Sequence, residues 1–273
     1  MASLDVEQKP ERRRLLLWGA ALAGVIGLGV AGARAASSGR DLDTPSAEPS
    51  RAPYVPAGPA SAKEAAERQA FVMSVVNDID AMWKWDFQRR TAKYVAVEPV
   101  LVDFPSKSDC GPGIVLGRSD CFGDQRVFID LSFLRGLDAR FDDEANGAKV
   151  YAIAHEMGHH VQRVLGMDKK LQALLEEKPV STHWAEVQLE LQADCFAGVW
   201  VRRAGPEHLI EPTQIESSIR HTSELGTARH LARPADAEHV GESFTYAIPR
   251  RRIYWFAQGY AHGEIDDCDT FAP

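Results

Sequence analysis

Two stretches of the sequence combine apolar residues with histidine and carboxylate side chains, and the first of them constrains the fold most. Residues 155–159 read His-Glu-Met-Gly-His, the HExxH motif, inside a segment predicted to be helical over 145–165. Positions four apart project from one face of a helix, so His155 and His159 can meet a single metal ion. The surrounding residues are largely apolar: Tyr151, Ala152, Ile153, Ala154 and Val161. Because buried His and Glu are costly unless paired or bound to metal, the motif predicts a zinc site, with satisfied core histidines as the alternative.

A second helical segment, predicted over 182–204, supplies the remaining ligand. A catalytic zinc ion has three protein ligands and keeps one position for water. Glu190 and Asp194 are four residues apart, so they share a helix face. Their neighbours are apolar: Val187, Leu189, Leu191, Phe196 and Val199. We assign Glu190 as the third ligand and Asp194 as the acceptor for a ligand histidine N–H, with an exposed acidic face as the alternative.

Glu156 and His160 stand next to the two ligand histidines. Glu156 cannot easily reach the same metal ion, so it is placed to take a proton from zinc-bound water and hand it to the leaving amine. It is the predicted general base of peptide-bond hydrolysis. His160 points about 100° away from His159 around the helix, which favours a hydrogen bond over metal binding.

Composition and charge narrow the functional class. Lys and Arg number 31 against 39 Asp and Glu, and a net charge of −8 repels phosphate backbones, so we expect no nucleic-acid partner. Of the 273 residues, 45% are hydrophobic, which is enough to bury a core. The globular pattern begins near Ser61, so residues 61–273 are predicted to form one domain.

Residues 15–33 form an uncharged apolar run, LLLWGAALAGVIGLGVAGA, close to the length that spans a membrane. Basic residues are denser before the run than after it: Lys9, Arg12, Arg13 and Arg14 precede it, and Arg34 and Arg40 follow it. This bias keeps residues 1–14 in the cytoplasm and predicts a single-pass cell-membrane protein with an extracytoplasmic catalytic domain. The alternative is a signal peptide cleaved near Ala33 and a secreted protein.

Small residues occupy successive fourth positions of this run: Gly19, Ala23, Gly27 and Ala31. Such a ridge allows two spans to pack as a homodimer, although small residues are also common in spans that do not pair. Residues 34–60 are rich in Pro, Ala and Ser without apolar periodicity, so they predict an extended tether.

The folded domain is predicted to be α+β. Ser61 and Glu64 have capping-box spacing, and apolar residues recur at helical intervals from there to about Arg90. Segments 94–104 and 126–131 are rich in strand formers and joined by a Gly-rich loop, so we expect a small antiparallel sheet beside the HExxH helix. Further helices are predicted over 134–141, 213–225 and 249–263.

Four cysteines are too few for a disulfide scaffold in a chain of this length. Cys110 and Cys121 both lie in the loop between the predicted strands. In an exported domain we expect a disulfide between them, and metal ligation by the two thiols is the alternative.

Five sequence stretches together resemble one bacterial family. HEMGHHVQRVLG, ELQADCFAGVW, RVFIDLSF, ESFTY and CDTF are similar, in content and order, to the family named "putative neutral zinc metallopeptidase", single-pass membrane proteins. The resemblance runs over residues 71–271. It implies a zincin-like fold in which His155, His159 and Glu190 bind Zn²⁺ and Glu156 is catalytic.

The same resemblance assigns roles to residues near the C-terminus. Tyr246 stands where the family has a histidine, and a phenol there can donate a hydrogen bond to the oxyanion. Arg252 matches the family's arginine, which is expected to orient that loop or bind a substrate carboxylate. Cys195 and Cys268 match family cysteines, which implies a second disulfide, with a buried free thiol at Cys195 as the alternative.

The predicted function is that of a membrane-anchored zinc metallopeptidase that hydrolyses peptide or protein substrates. The loss of the family histidine at Tyr246 leaves one alternative from another class. That alternative is a catalytically inactive, zinc-stabilised binding or scaffold protein of the cell envelope.

Overall fold

The structure is a computed structural model that describes residues 60–97, 99–102, 126–177, 181–204, 210–231 and 248–272. The predicted cytoplasmic segment, the span at 15–33 and the tether up to residue 59 lie outside these ranges. Of the helices within them, none combines the length and hydropathy that a membrane crossing requires.

The described part of the chain is mostly helical. Its elements are α1 (Ala62–Arg89), β1 (Pro99–Val102), β2 (Val127–Asp130), α2 (Leu131–Phe141), α3 (Ala145–Val164), α4 (Met167–Glu177), α5 (Thr182–Arg203), α6 (Ile215–Leu231) and α7 (Pro249–His262). Short 3-10 turns lie at Asp142–Glu144, Pro212–Gln214 and Ile265–Cys268. Helix α4 was not predicted from the sequence. The zincin-like fold stays a prediction, because two strands among seven described helices do not identify it.

The two strands pair in parallel, so the predicted antiparallel sheet is wrong. Pro99 aligns with Val127, and Val102 aligns with Asp130. A parallel pair needs a connection of about a dozen residues or more, and residues 103–126 between the strands provide that length. The two strands therefore lack the short connection that a β-hairpin would need.

The first strand is shorter than predicted because the residues before it bond to α1. The Tyr94 O–H donates to Oδ1 of Asp80 at 2.9 Å, and the Val97 N–H donates to the same oxygen at 3.2 Å. These bonds hold residues 94–97 against the helix, and β1 begins after them, at Pro99.

Capping side chains mark the starts of α1 and α2. The predicted capping box of α1 is confirmed, since Oγ of Ser61 accepts from the Glu64 N–H and the Glu64 carboxylate accepts from the Ser61 N–H. Helix α2 begins earlier than predicted because Oδ1 of Asp130 accepts from the N–H groups of Ser132 and Phe133.

Helix α3 is the central element, and it contacts α1, α2, α5, α6 and β2. Every residue from His155 to Gln162 is buried. Helix α1 adds seven buried apolar side chains to the core: Val72, Val75, Val76, Ile79, Met82, Trp83 and Phe87. The polar side chains of the HExxH motif therefore lie in the interior of the domain.

Helices α5 and α7 touch through their backbones. A Cβ built on Gly198 would lie 2.1 Å from the carbonyl oxygen of Phe256, and one built on Gly259 would lie 1.9 Å from that of Cys195. Only glycine fits such an approach at either position. A disulfide between Cys195 and Cys268 joins α5 to the turn after α7.

Candidate metal centre

A close approach of α3 and α5 builds the site. Gly158, inside the HExxH motif, faces α5 so closely that an added Cβ would lie 2.6 Å from the carbonyl oxygen of Ala193. Glu190 lies one helical turn before Ala193 and thus on the same face of α5. The missing side chain of Gly158 is what brings this carboxylate up to the histidines.

His155, His159 and Glu190 converge in the interior. Nε2 of His155 lies 3.1 Å from Oε2 of Glu190, and Nε2 of His159 lies 3.5 Å from Oε1. One nitrogen or oxygen atom from each of the three side chains falls within 4.8 Å of the others. All three residues are buried, with 0%, 4% and 4% of their surfaces exposed. The structure thus brings together the three residues that the sequence predicted as ligands.

Asp194 orients the His155 ring, as its position in the sequence predicted. Its Oδ1 lies 2.8 Å from Nδ1 of His155, and it also accepts from the Tyr151 O–H. An ionised carboxylate only accepts, so Nδ1 carries the ring proton. Nε2 of His155 then faces Glu190.

His159 is oriented by Gln162, a residue that the sequence reasoning missed. The Gln162 side-chain NH₂ donates to the Leu189 carbonyl at 2.7 Å and to Oε1 of Gln192 at 3.2 Å. Its Oε1 therefore faces Nδ1 of His159 at 2.8 Å, so Nδ1 donates. Gln192 in turn donates to the Cys268 carbonyl at 2.9 Å. Gln162 follows His159 by three residues, which is a spacing that could have indicated the contact.

This donor set fits a divalent cation such as zinc. With both Nδ1 atoms held by hydrogen bonds to Asp194 and Gln162, both Nε2 atoms face the Glu190 carboxylate, and each can bind a cation once it carries no proton. Ligand atoms bound tetrahedrally at about 2.0–2.1 Å are about 3.3–3.4 Å apart. The Nε2 atoms of His155 and His159 lie 3.1 and 3.5 Å from the two oxygens of Glu190, which is close to that spacing.

The groups around the site shift the pKa values of His155 and Glu190 in the metal-free protein. Burial alone lowers the pKa of His155, but the charges of Asp194 and Glu190 and the hydrogen bonds to them together raise it to about 9. Burial alone raises the pKa of Glu190, but the charge of His159 and contacts with His155 and Arg252 lower it to about 2. A metal ion therefore meets an ionised Glu190 and displaces a proton from His155.

Arg252 lies inside the site and has no exposed surface. Its Nη1 is 3.2 Å from both carboxylate oxygens of Asp194, and its Nη2 is 3.1 Å from Oε2 of Glu190. The loop near Tyr246 lies outside the described residues, so the expectation that Arg252 orients it or binds a substrate carboxylate stays a prediction. Arg252, Phe256 and Gly259 are the buried residues of α7, and their helical spacing is a signal that could have placed Arg252 inside.

Glu156 is 3% exposed and faces β2 and α2. It lines a cavity of about 10 Å³, close to the minimum for one water molecule. The other lining residues are Ile129, Asp130, Phe133, Leu134, Ala152 and Ile153. Asp130 is held by a buried ion pair with Arg229 at 3.1 Å. The catalytic role of Glu156 stays a prediction.

Some of the remaining predicted residues lie outside the described part of the chain, and the others lie within it. Tyr246, Cys110 and Cys121 lie outside the described residues. Cys195 and Cys268 form the disulfide that the family resemblance implied. His160 hydrogen-bonds through Nε2 to the Val95 carbonyl at 2.7 Å, and so it points away from the three converging side chains as predicted.

Comparison with known proteins bears out the family resemblance. A family model described as "Putative neutral zinc metallopeptidase" matches residues 19–271. The chain is 30% identical over 210 residues to Uncharacterized protein YpfJ of Escherichia coli strain K12, which covers 76% of this chain and 72% of that protein. It is 28% identical over 216 residues to Uncharacterized protein Rv2575 of Mycobacterium tuberculosis strain H37Rv, which covers 75% and 71%. No solved structure matches the chain significantly.

Proposed function

Because the chain belongs to the "Putative neutral zinc metallopeptidase" family, we propose that it is a zinc-dependent peptidase that hydrolyses peptide bonds of peptide or protein substrates. One observation carries the proposal: His155, His159 and Glu190 converge in a buried site with both Nε2 atoms turned toward the carboxylate. These three residues would hold the zinc ion. When bound, zinc would supply a Lewis acid that polarises the scissile carbonyl and lowers the pKa of water.

Side chains of the protein would transfer the proton, orient the metal ligands and bind the oxyanion. Glu156 accepts the proton of the attacking water and returns it to the leaving amine. Asp194 and Gln162 each hold an Nδ1 proton, which keeps both Nε2 lone pairs pointed at the ion. Tyr246 is proposed to donate a hydrogen bond to the oxyanion.

We also propose that residues 15–33 anchor the chain in the cell membrane and that the domain is extracytoplasmic. The disulfide between Cys195 and Cys268 supports an oxidising compartment, where such bonds persist. The small-residue ridge of the span is proposed to allow a homodimer. A C-terminal alkaline phosphatase fusion should be active and a C-terminal cytosolic fluorescent reporter dark, and the opposite result would refute this topology.

The decisive experiment separates metal binding from chemistry. Full-length wild type, Glu156→Gln and His159→Ala are purified and assayed for zinc content and for hydrolysis of denatured casein and a diverse peptide library. Wild type should hold about one zinc and hydrolyse substrate. Glu156→Gln should keep zinc and lose activity by at least about 10²-fold to 10⁴-fold, because it removes only the proton carrier. His159→Ala should lose both.

Two results would contradict the proposal in different ways. Full zinc retention in His159→Ala would remove the ligand assignment. If zinc-loaded wild type were no more active than Glu156→Gln, the inactive scaffold would become the better conclusion.

A further inference from the structure

The Arg252 guanidinium connects two carboxylates that have different roles. Nη1 bonds Asp194, which orients the His155 ring, and Nη2 bonds Glu190, which is one of the converging ligands. Both carboxylates project from the same face of α5, one turn apart. One cation from α7 thus fixes two separate parts of the site.

The shape of the guanidinium matters for this arrangement. Its planar fork presents several N–H donors in fixed directions, whereas a lysine ammonium is a compact point charge. Only the fork can hold Asp194 and Glu190 together at 3.1–3.2 Å in the observed geometry. The Tyr151 hydroxyl braces it, because it accepts from Nη1 at 3.3 Å while donating to Asp194.

The formal charges give a second, independent reason for an arginine here. Glu156, Glu190 and Asp194 are buried and together carry −3 when ionised. Arg252 contributes +1 and a divalent metal ion +2, so the occupied site sums to zero. Without the guanidinium the site would hold a net negative charge in the interior, where unbalanced charge is costly.

We propose that Arg252 is a positioning residue of the metal centre: it holds Glu190 and Asp194 in ligand geometry and balances the charge of the occupied site. The inference rests on the proposed zinc site. The competing explanation is a buried ion pair that stabilises the contact between α5 and α7 without affecting the metal.

Zinc affinity and a spectroscopic signature distinguish the two explanations. Full-length wild type, Arg252→Lys and Tyr151→Phe are titrated with zinc against a chromophoric chelator, and cobalt-substituted samples are compared by visible absorption. Arg203→Lys is the matched control. Arg203 is a mostly buried arginine near the end of α5, and it forms an ion pair with Glu264, which is not part of the metal centre. Thermal unfolding of each metal-free variant reports stability separately.

We expect Arg252→Lys to weaken zinc binding by about 10-fold to 100-fold and to shift the cobalt bands, since charge is kept but the fork is lost. Tyr151→Phe should weaken binding by about 3-fold to 10-fold. Arg203→Lys should stay within about 2-fold of wild type. A purely structural role predicts lower melting temperatures with unchanged affinity and spectra.

Wild-type affinity and an unchanged cobalt spectrum in Arg252→Lys would overturn the inference. If Arg252→Lys does not fold, Tyr151→Phe decides, because it removes one hydroxyl from the same network without a change of shape. Failure of the wild type itself to bind zinc would instead refute the proposed function, and the inference with it.

Discussion

Gly158→Ala should damage the metal centre although residue 158 is not a ligand. The added Cβ would lie 2.6 Å from the Ala193 carbonyl oxygen and 2.9 Å from its Cα, both of which are backbone atoms. No side-chain rotation can relieve such a contact. Ordinary contact begins near 3.4 Å, so α3 and α5 must separate locally by roughly 0.8 Å.

The separation exceeds what the site tolerates. Glu190 lies one turn from Ala193, and metal–ligand distances vary by only about 0.2 Å. We therefore expect zinc affinity to fall at least about tenfold. Overpacking costs about 1–3 kcal/mol, and the better helix propensity of alanine returns about 1 kcal/mol, so the free energy of unfolding should fall by about 0–2 kcal/mol.

Chelator competition measures the affinity, and urea unfolding of the metal-free protein measures the stability. Gly136→Ala is the control, because Gly136 lies in α2 and an added Cβ there would meet only the flexible end of Leu225, at 3.1 Å. It should bind zinc as wild type does. Wild-type zinc affinity in Gly158→Ala would refute the argument that helix spacing fixes the ligand geometry.

Three further results are expected. Gln162→Leu should weaken zinc binding by about 10-fold to 100-fold in chelator competition, since Nδ1 of His159 loses its acceptor, and unchanged binding would remove that role. Replacing Cys195 and Cys268 together by alanine should lower the free energy of unfolding by about 4 kcal/mol, from a chain-entropy estimate for a separation of 73 residues; an unchanged urea midpoint would contradict it. Burial lowers the pKa of His155, but the charges of Asp194 and Glu190 and the hydrogen bonds to them together raise it to about 9, so zinc must displace a proton at neutral pH. Zinc affinity should therefore rise by up to about tenfold per pH unit from pH 7 and level off above pH 9, and a flat profile would argue against this reasoning.

The ligand cluster could be anticipated because its spacing is local. HExxH and the Glu190–Asp194 pair each depend on positions four apart in one helix, and apolar neighbours mark both helices as buried. The Ser61 capping box is local in the same sense. Such patterns need no knowledge of how the helices pack.

Two of the features that sequence reasoning missed depend on partners far along the chain. The parallel pairing of β1 and β2 depends on the path of the connection, which composition does not fix. Arg252 meets its carboxylates only because α7 packs on α5. Arginine is rarely fully buried, so its position on the buried face of α7 did not by itself predict that it lies in the interior.

The close approach of α5 and α7 at Gly198 and Gly259 has a consequence for how such a chain can evolve. Side chains in a core can drift together, one growing as its neighbour shrinks, but here the opposing atoms are the carbonyl oxygens of Phe256 and Cys195. A mutation cannot remove these backbone atoms, so no other residue fits in place of either glycine. The distance between α5 and α7 should therefore stay constant when other core residues change. The Arg252 guanidinium then remains close enough to α5 to bond its carboxylates.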